Sequence, residues 1–169
     1  HLKPGLTHTT IGSHYKCSGY IEAMSALLLK SLEHIEPNLK TTVVFVAHSI
    51  PLKQVIDGDP YIEQVEATVS SIMKQAAPPF PHVLAYQSKV GPVKWQGPSL
   101  EEILKRLVSE NVEQVVVQPV SFVSENLETL FDLDIDFKDR CKAAGIEKFT
   151  RVPAPGTHPL YIKALADLV

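Results

Sequence analysis

The run Val43-Val44-Phe45-Val46-Ala47 is apolar at every position, rich in β-branched residues and free of alternation. A strand with one wet face alternates polar and apolar side chains. A run without alternation reads as a strand covered on both faces, the arrangement of a parallel sheet between helical layers. Its length is that of a strand, far short of the roughly 18 to 20 residues a membrane-spanning helix needs. It ends directly at His48, which predicts an imidazole at the rim of the sheet.

The surrounding sequence is helical and strand-like by turns. Ile21, Met24, Leu27, Leu28, Leu32 and Ile35 recur at helical spacing between Ser18-Gly19 and Pro37, predicting a helix over 21–35. After His48, Pro51 and the turn Asp57-Gly58-Asp59-Pro60 lead into a helix over 61–75, stopped by Pro78, Pro79 and Pro81. A second strand is expected over 82–87, then a long ordered loop over 88–98, then a helix opened by the capping pair Ser99 and Glu102. A third strand over 115–120, a long helix over 124–144 closed by Gly145, a short strand over 149–152 and a helix over 159–168 follow. This order predicts an α/β fold, a three-layer α/β/α arrangement with a mostly parallel open sheet. His48, the 88–98 loop and the 121–128 segment each follow a strand directly, where open α/β sheets bind ligands.

Composition narrows the partners. The 169 residues suffice for one such domain and not for two. Against 19 Asp+Glu stand 16 Lys+Arg with no basic run, which argues against nucleic acid. Cys17 and Cys141 form no C-x-x-C pair, so free thiols in a reducing compartment are expected and no zinc ribbon or redox motif. The chain opens on His1 without a basic-then-apolar leader, which suggests a processed form or a piece of a longer protein.

On the long helix Glu128, Asp132 and Asp136 stand at i, i+4 and i+8, one turn after Glu125, with no cation interleaved. Like charges so spaced cost a helix roughly 0.2–0.5 kcal/mol per pair. The ladder is therefore either a solvated acidic face or a place for a cation. Leu127, Leu130, Phe131 and Leu133 predict that this helix is largely buried, and buried carboxylates have partners or a task. Trp95, the only tryptophan, lies in a loop, where it can stack on a planar ligand or fill the loop's own core. Lys89 and Lys94 flank it, within reach of anions. His8, His14 and Cys17 match no zinc spacing and are read as incidental. No G-x-G-x-x-G, Walker A loop, G-x-S-x-G elbow or H-E-x-x-H occurs, so nucleotide and serine-hydrolase readings have no motif support.

Five segments in order carry a resemblance: Ala47-His48-Ser49-Ile50-Pro51, Gly58-Asp59-Pro60-Tyr61, Gln87-Ser88-Lys89-Val90-Gly91-Pro92 with Trp95 and Gly97-Pro98, the stretch from Pro119 to Leu130, and Ala164-Leu165-Ala166-Asp167-Leu168. Together they closely resemble the carboxyl-terminal half of ferrochelatase. The resemblance covers nearly everything after Val43. Ile11-Gly12-Ser13 and Gly19-Tyr20-Ile21-Glu22-Ala23 resemble the segment that joins the two halves in bacterial members.

The resemblance implies a chelatase-like fold, with 1–38 as linking segment and interdomain helix and 39–169 as the carboxyl-terminal domain. It implies a lyase that inserts ferrous iron into protoporphyrin IX to form heme, with Fe²⁺ as substrate and no organic cofactor. Coproporphyrin, a related metal chelatase, or an isolated half that binds tetrapyrrole or metal without turnover are the alternatives. His48 matches the active-site histidine, acting as base or as metal ligand, and Glu128 the essential glutamate facing it across the porphyrin. Asp132 and Asp136 match the acidic positions behind them, a metal or proton path. Pro51, Val90, Trp95 and Phe122 match the porphyrin pocket or its mouth. The implied partners are porphyrin, ferrous iron and a homologous amino-terminal domain that walls the other side of the cleft and lies outside these residues. The implied location is cytoplasmic, with room for peripheral contact at the inner membrane. Asn126 departs from animal-type members, which carry a histidine there, and this chain lacks cysteines for the iron–sulfur cluster of mitochondrial relatives.

Overall fold

The computed structural model describes residues 10–87 and 91–169. Four strands, β1 (Thr41–His48), β2 (His82–Gln87), β3 (Gln114–Pro119) and β4 (Lys148–Arg151), form one sheet in the order β2-β1-β3-β4. All three pairings are parallel. The chain leaves β1 toward β2 and returns past it to β3, so the strand order reverses between β1 and β3. Open α/β sheets bind ligands at that crevice, beyond the carboxyl ends of the strands.

As the unalternating run predicts, β1 is buried from Thr41 through Ala47. Val43, Phe45 and Ala47 face α1 (Ser18–Leu32) and α3 (Tyr61–Ala76). Val44 and Val46 face the other side, against α4 (Leu100–Ser109), Leu133, Phe137 and Cys141. The three-layer arrangement is thus present, with two apolar cores separated by the sheet. The Ser99 capping box forms as its spacing predicts, the Ser99 hydroxyl accepting from the Glu102 N–H and the Glu102 carboxylate accepting from the Ser99 N–H. Three elements differ in small ways: α1 starts and ends three residues earlier than expected, a short helix α2 (Leu52–Ile56) fills part of the expected loop after Pro51, and α6 spans Pro159–Ala166.

The long helix departs most from expectation. It begins at Glu128 and not at 124, winds as a π-helix over Glu128–Phe137, and continues as α5 (Lys138–Ala143). Its late start follows from Asn126, whose side-chain oxygen accepts the N–H groups of Glu128 at 2.8 Å and Thr129 at 3.3 Å. Asparagine side chains compete in this way for free helix-start donors. The expected burial fails as well. Thr129, Leu133 and Phe137 are the buried residues of the π-helix, while Leu127, Leu130 and Phe131 are 76%, 50% and 52% exposed. The apolar side chains lie partly on the face turned from the sheet.

α1 packs tightly on α6. A Cβ added at Gly19 would stand 2.8 Å from the Ala164 Cβ, closer than real carbon contacts allow. Gly19→Val is therefore expected to push the helices apart and lower unfolding stability by about 1–3 kcal/mol, read from urea unfolding. An unchanged midpoint would mean that the two helices are not held in this contact.

Candidate functional site

His48, the last residue of β1, stands at the carboxyl end of the sheet, and its backbone is held on both sides. The His48 N–H donates to the Ser121 hydroxyl at 2.9 Å, just past β3, and the Tyr61 hydroxyl of α3 donates to the His48 carbonyl at 3.0 Å. Burial pushes the Tyr61 phenol above its ordinary value, as does the Glu128 charge, against the opposing hydrogen bonds to Ser121 and His48. It therefore stays a donor at neutral pH.

The ring itself meets Glu128, eighty positions later in sequence, with Nδ1 2.8 Å from Oε2. Gln87, the last residue of β2, donates its side-chain N–H to the same oxygen at 3.2 Å. With the imidazole neutral, Nδ1–H donates to the carboxylate and the Nε2 lone pair is left to accept a proton or bind a metal. The side chains of His48 and Glu128 are 40% and 33% exposed, accessible to a ligand in the crevice. Carboxylate, imidazole and amide are thus brought from three elements to one point.

Beside the pair, Ser49 is fully buried and its hydroxyl donates to the Gln96 carbonyl at 2.8 Å. Pro51 and Trp95 form an antiparallel bridge, flanked by bonds from Leu52 N–H to the Lys94 carbonyl and from Gln96 N–H to the Ile50 carbonyl. The predicted pocket residues Pro51 and Trp95 therefore lie together, a few residues from His48. Phe122 is buried, 8% exposed, next to Ser121. The fourth, Val90, lies outside the described residues, as do Ser88, Lys89 and His8. His14 stacks edge-on against Tyr20, with ring centres 5.2 Å apart.

Asp132 and Asp136 do not join His48. They line a polar cavity of about 310 Å³ with Tyr86, Gln87, Glu101 and Arg140. The Gln87 side-chain oxygen is buried without a hydrogen-bond partner among the described residues. Gln87 thus touches both the cavity and the His48–Glu128 pair. Although no cation interleaves the ladder, it ends on one: Arg140, four residues after Asp136, stands 3.6 Å from it. Among the described residues no group of three or more His, Cys, Asp or Glu side chains converges to hold a metal ion. What the geometry offers a cation is the His48–Glu128 pair with open coordination positions.

Sequence reasoning assigned no role to Gln87, Ser121, Tyr61, Arg140 or Arg151. The signal for the first three was their position at strand ends or beside a turn, inside segments already singled out. Asn126, which departs from the histidine of animal-type members, acts as the helix cap described above.

With the geometry established, three comparisons bear on it. A family model for ferrochelatase matches residues 1–169. A ferrochelatase of Nostoc sp. is 46% identical over 165 residues, covering 97% of this chain and 42% of its own length. Those of a Cyanothece sp. and of Synechococcus elongatus are 45% and 43% identical, over 97% and 95% of this chain and 43% and 42% of theirs. The chain spans about two-fifths of the length of the curated relatives it matches. A solved structure described as a cobalamin biosynthesis CbiX protein from Marinobacter aquaeolei VT8 aligns with a TM-score of 0.50 at 19% identity. It covers 76% of this chain and 92% of that one, a likeness of fold.

The ladder carries its own electrostatic signature. Desolvation raises the Asp132 carboxyl above its ordinary value, helped by the charges of Glu128 and Asp136. A raised carboxyl disfavours the folded state once ionised, so Asp132→Asn is expected to raise the urea midpoint at pH 7. That gain should shrink as pH falls through the raised value and vanish below the ordinary 3.8. A pH-independent gain would place its origin outside the charge.

Proposed function

The chain belongs to the ferrochelatase family, and from that premise we propose that the protein carrying it inserts ferrous iron into protoporphyrin IX to form heme. The observation that carries the reading is the 2.8 Å contact between His48 Nδ1 and Glu128 Oε2 in the crevice beyond β1 and β3. Metalation exchanges two pyrrole protons for one Fe²⁺: two N–H bonds break, four Fe–N bonds form and no electron is transferred. The protein must accept protons from weakly acidic nitrogens and strip water from the incoming ion.

His48 meets the first demand through Nε2, with Glu128 holding the ring in the right tautomer and stabilising the imidazolium that forms. Imidazole is also a suitable ligand for Fe²⁺, and Glu128 a hard oxygen beside it. A site with two protein ligands and open positions suits an ion that must be released into the macrocycle. Asp132 and Asp136 extend the carboxylate series away from the pair. Asp132, with its raised carboxyl, is the group readiest to take a proton onward.

Pro51, Trp95 and Phe122 form the described part of this chain's share of the porphyrin wall. The opposite wall belongs to an amino-terminal domain, and two observations support it: the additional length of the relatives, and the exposed apolar side chains of Leu127, Phe131 and Ile135 beside the carboxylate ladder. Cys17 and Cys141 are free thiols, which supports action in a reducing cytoplasm. No described helix is long and apolar enough to cross a membrane.

Glu128→Gln keeps size and hydrogen bonding and removes the charge. In the full-length protein, anaerobic metalation kinetics are expected to show kcat reduced at least about 100-fold with KM for porphyrin little changed. Equal loss of binding and turnover would make Glu128 a structural residue and remove the support for this reading.

A further inference from the structure

Arg151 closes β4 at the edge of the sheet, with its side chain only 15% exposed and engaged at two points. Nη1 donates to Glu125 at 2.8 Å and Nε donates to Asp134. Glu125 also accepts the Ala154 N–H at 2.9 Å, which ties it to the loop after β4. These two carboxylates bracket Glu128: Glu125 precedes it by three residues and Asp134 follows it by six. Between Glu125 and Glu128 stands Asn126, whose side-chain oxygen receives the Glu128 N–H.

A continuous series of contacts therefore runs from Arg151 through Glu125 and the Asn126 cap to the backbone of Glu128. A second runs through Asp134 into the middle of the π-helix. π-Helical winding is rare and is found mainly in short pieces at functional sites, so its persistence over Glu128–Phe137 calls for restraint from outside the helix. The outer face supplies little, since Leu127, Phe131 and Ile135 are each more than half exposed.

Resting on the proposed function for the significance of the pair it serves, we infer that Arg151 is a positioning residue that holds the Glu128 carboxylate against His48 by bracing the π-helix at Glu125 and Asp134. The guanidinium fork reaches two separate carboxylates from Nε and Nη1; a lysine ammonium cannot span both with the same geometry. The ionisation of the partners agrees. Burial would raise the Glu125 carboxyl, but hydrogen bonds from Thr129, Arg151 and Ala154 hold it below its ordinary value.

The test uses Arg151→Lys and Arg151→Met in the full-length protein, alone and combined with Glu128→Gln. The first readout is independent of activity: the ¹⁵N resonances of the His48 ring, which report the hydrogen bond at Nδ1. Arg151→Met is expected to move the Nδ1 signal toward that of Glu128→Gln, with Arg151→Lys part-way. The second is metalation: Arg151→Met is expected to lower kcat about 10- to 100-fold with KM for porphyrin within about twofold. In the Glu128→Gln background that further loss should largely disappear, since both changes remove one function. If Arg151→Met fails to fold, Arg151→Lys, which keeps the charge, decides. A His48 signal unmoved by the folded Arg151 variant, or equal losses of kcat in both backgrounds, overturns the bracing role. Failure of Glu128→Gln alone to affect metalation would instead count against the proposed function, leaving the ring resonances to decide on Arg151.

Discussion

β1 is hydrogen-bonded along both edges, to β2 and to β3, and covered by apolar side chains on both faces. No residue from Thr41 to Ala47 can change place without breaking a ladder or opening a core. The strand's end is therefore as fixed as its middle, and His48 inherits that rigidity. Its N–H and carbonyl are held by Ser121, just past β3, and by Tyr61 at the start of α3. Chemistry that depends on sub-ångström placement is best mounted on such a scaffold.

The partner of His48 sits on a different kind of support. Glu128 opens a π-helix whose side chains fall into series four residues apart. Leu127, Phe131 and Ile135 are exposed, Glu128, Asp132 and Asp136 form the acidic edge, and Thr129, Leu133 and Phe137 are buried. The acidic series lies between the buried and exposed apolar series. A rigid histidine thus faces a carboxylate on an element with one exposed apolar face, braced before its start and in its middle by Arg151 and near its end by Arg140. This asymmetry suits a site where one group must hold geometry and the other must hand on a proton or an ion.

Much of this was legible in the residues. The unalternating Val43-Val44-Phe45-Val46-Ala47 run implied a doubly covered parallel strand, and its abrupt end implied a rim histidine. Ser99 and Glu102 marked a helix start through local chemistry alone. The His48–Glu128 contact was not legible from spacing, because a separation of eighty positions gives no distance; the family resemblance set the two residues facing each other across a porphyrin, and the structure brings them into direct contact. The π winding was hidden because residues four apart share a face in either kind of helix. Counting Leu127, Leu130 and Phe131 as apolar suggested burial, yet composition does not say which side of a helix has a neighbour. Arg140 stood in plain sight at i+4 from Asp136, beyond the ladder's last acid. Arg151 gave no local sign, since its partners lie 26 and 17 residues away and meet it only once the sheet has formed.

The central claim is that the histidine and glutamate meeting at this crevice form the place of metalation. An anaerobic absorbance titration of the full-length protein with a dicarboxylic porphyrin, followed by Fe²⁺, compares the intact protein with His48→Ala most directly. The account predicts porphyrin binding in both and a saturable metalated spectrum in the intact protein alone. Metalation at an undiminished rate in His48→Ala would contradict it.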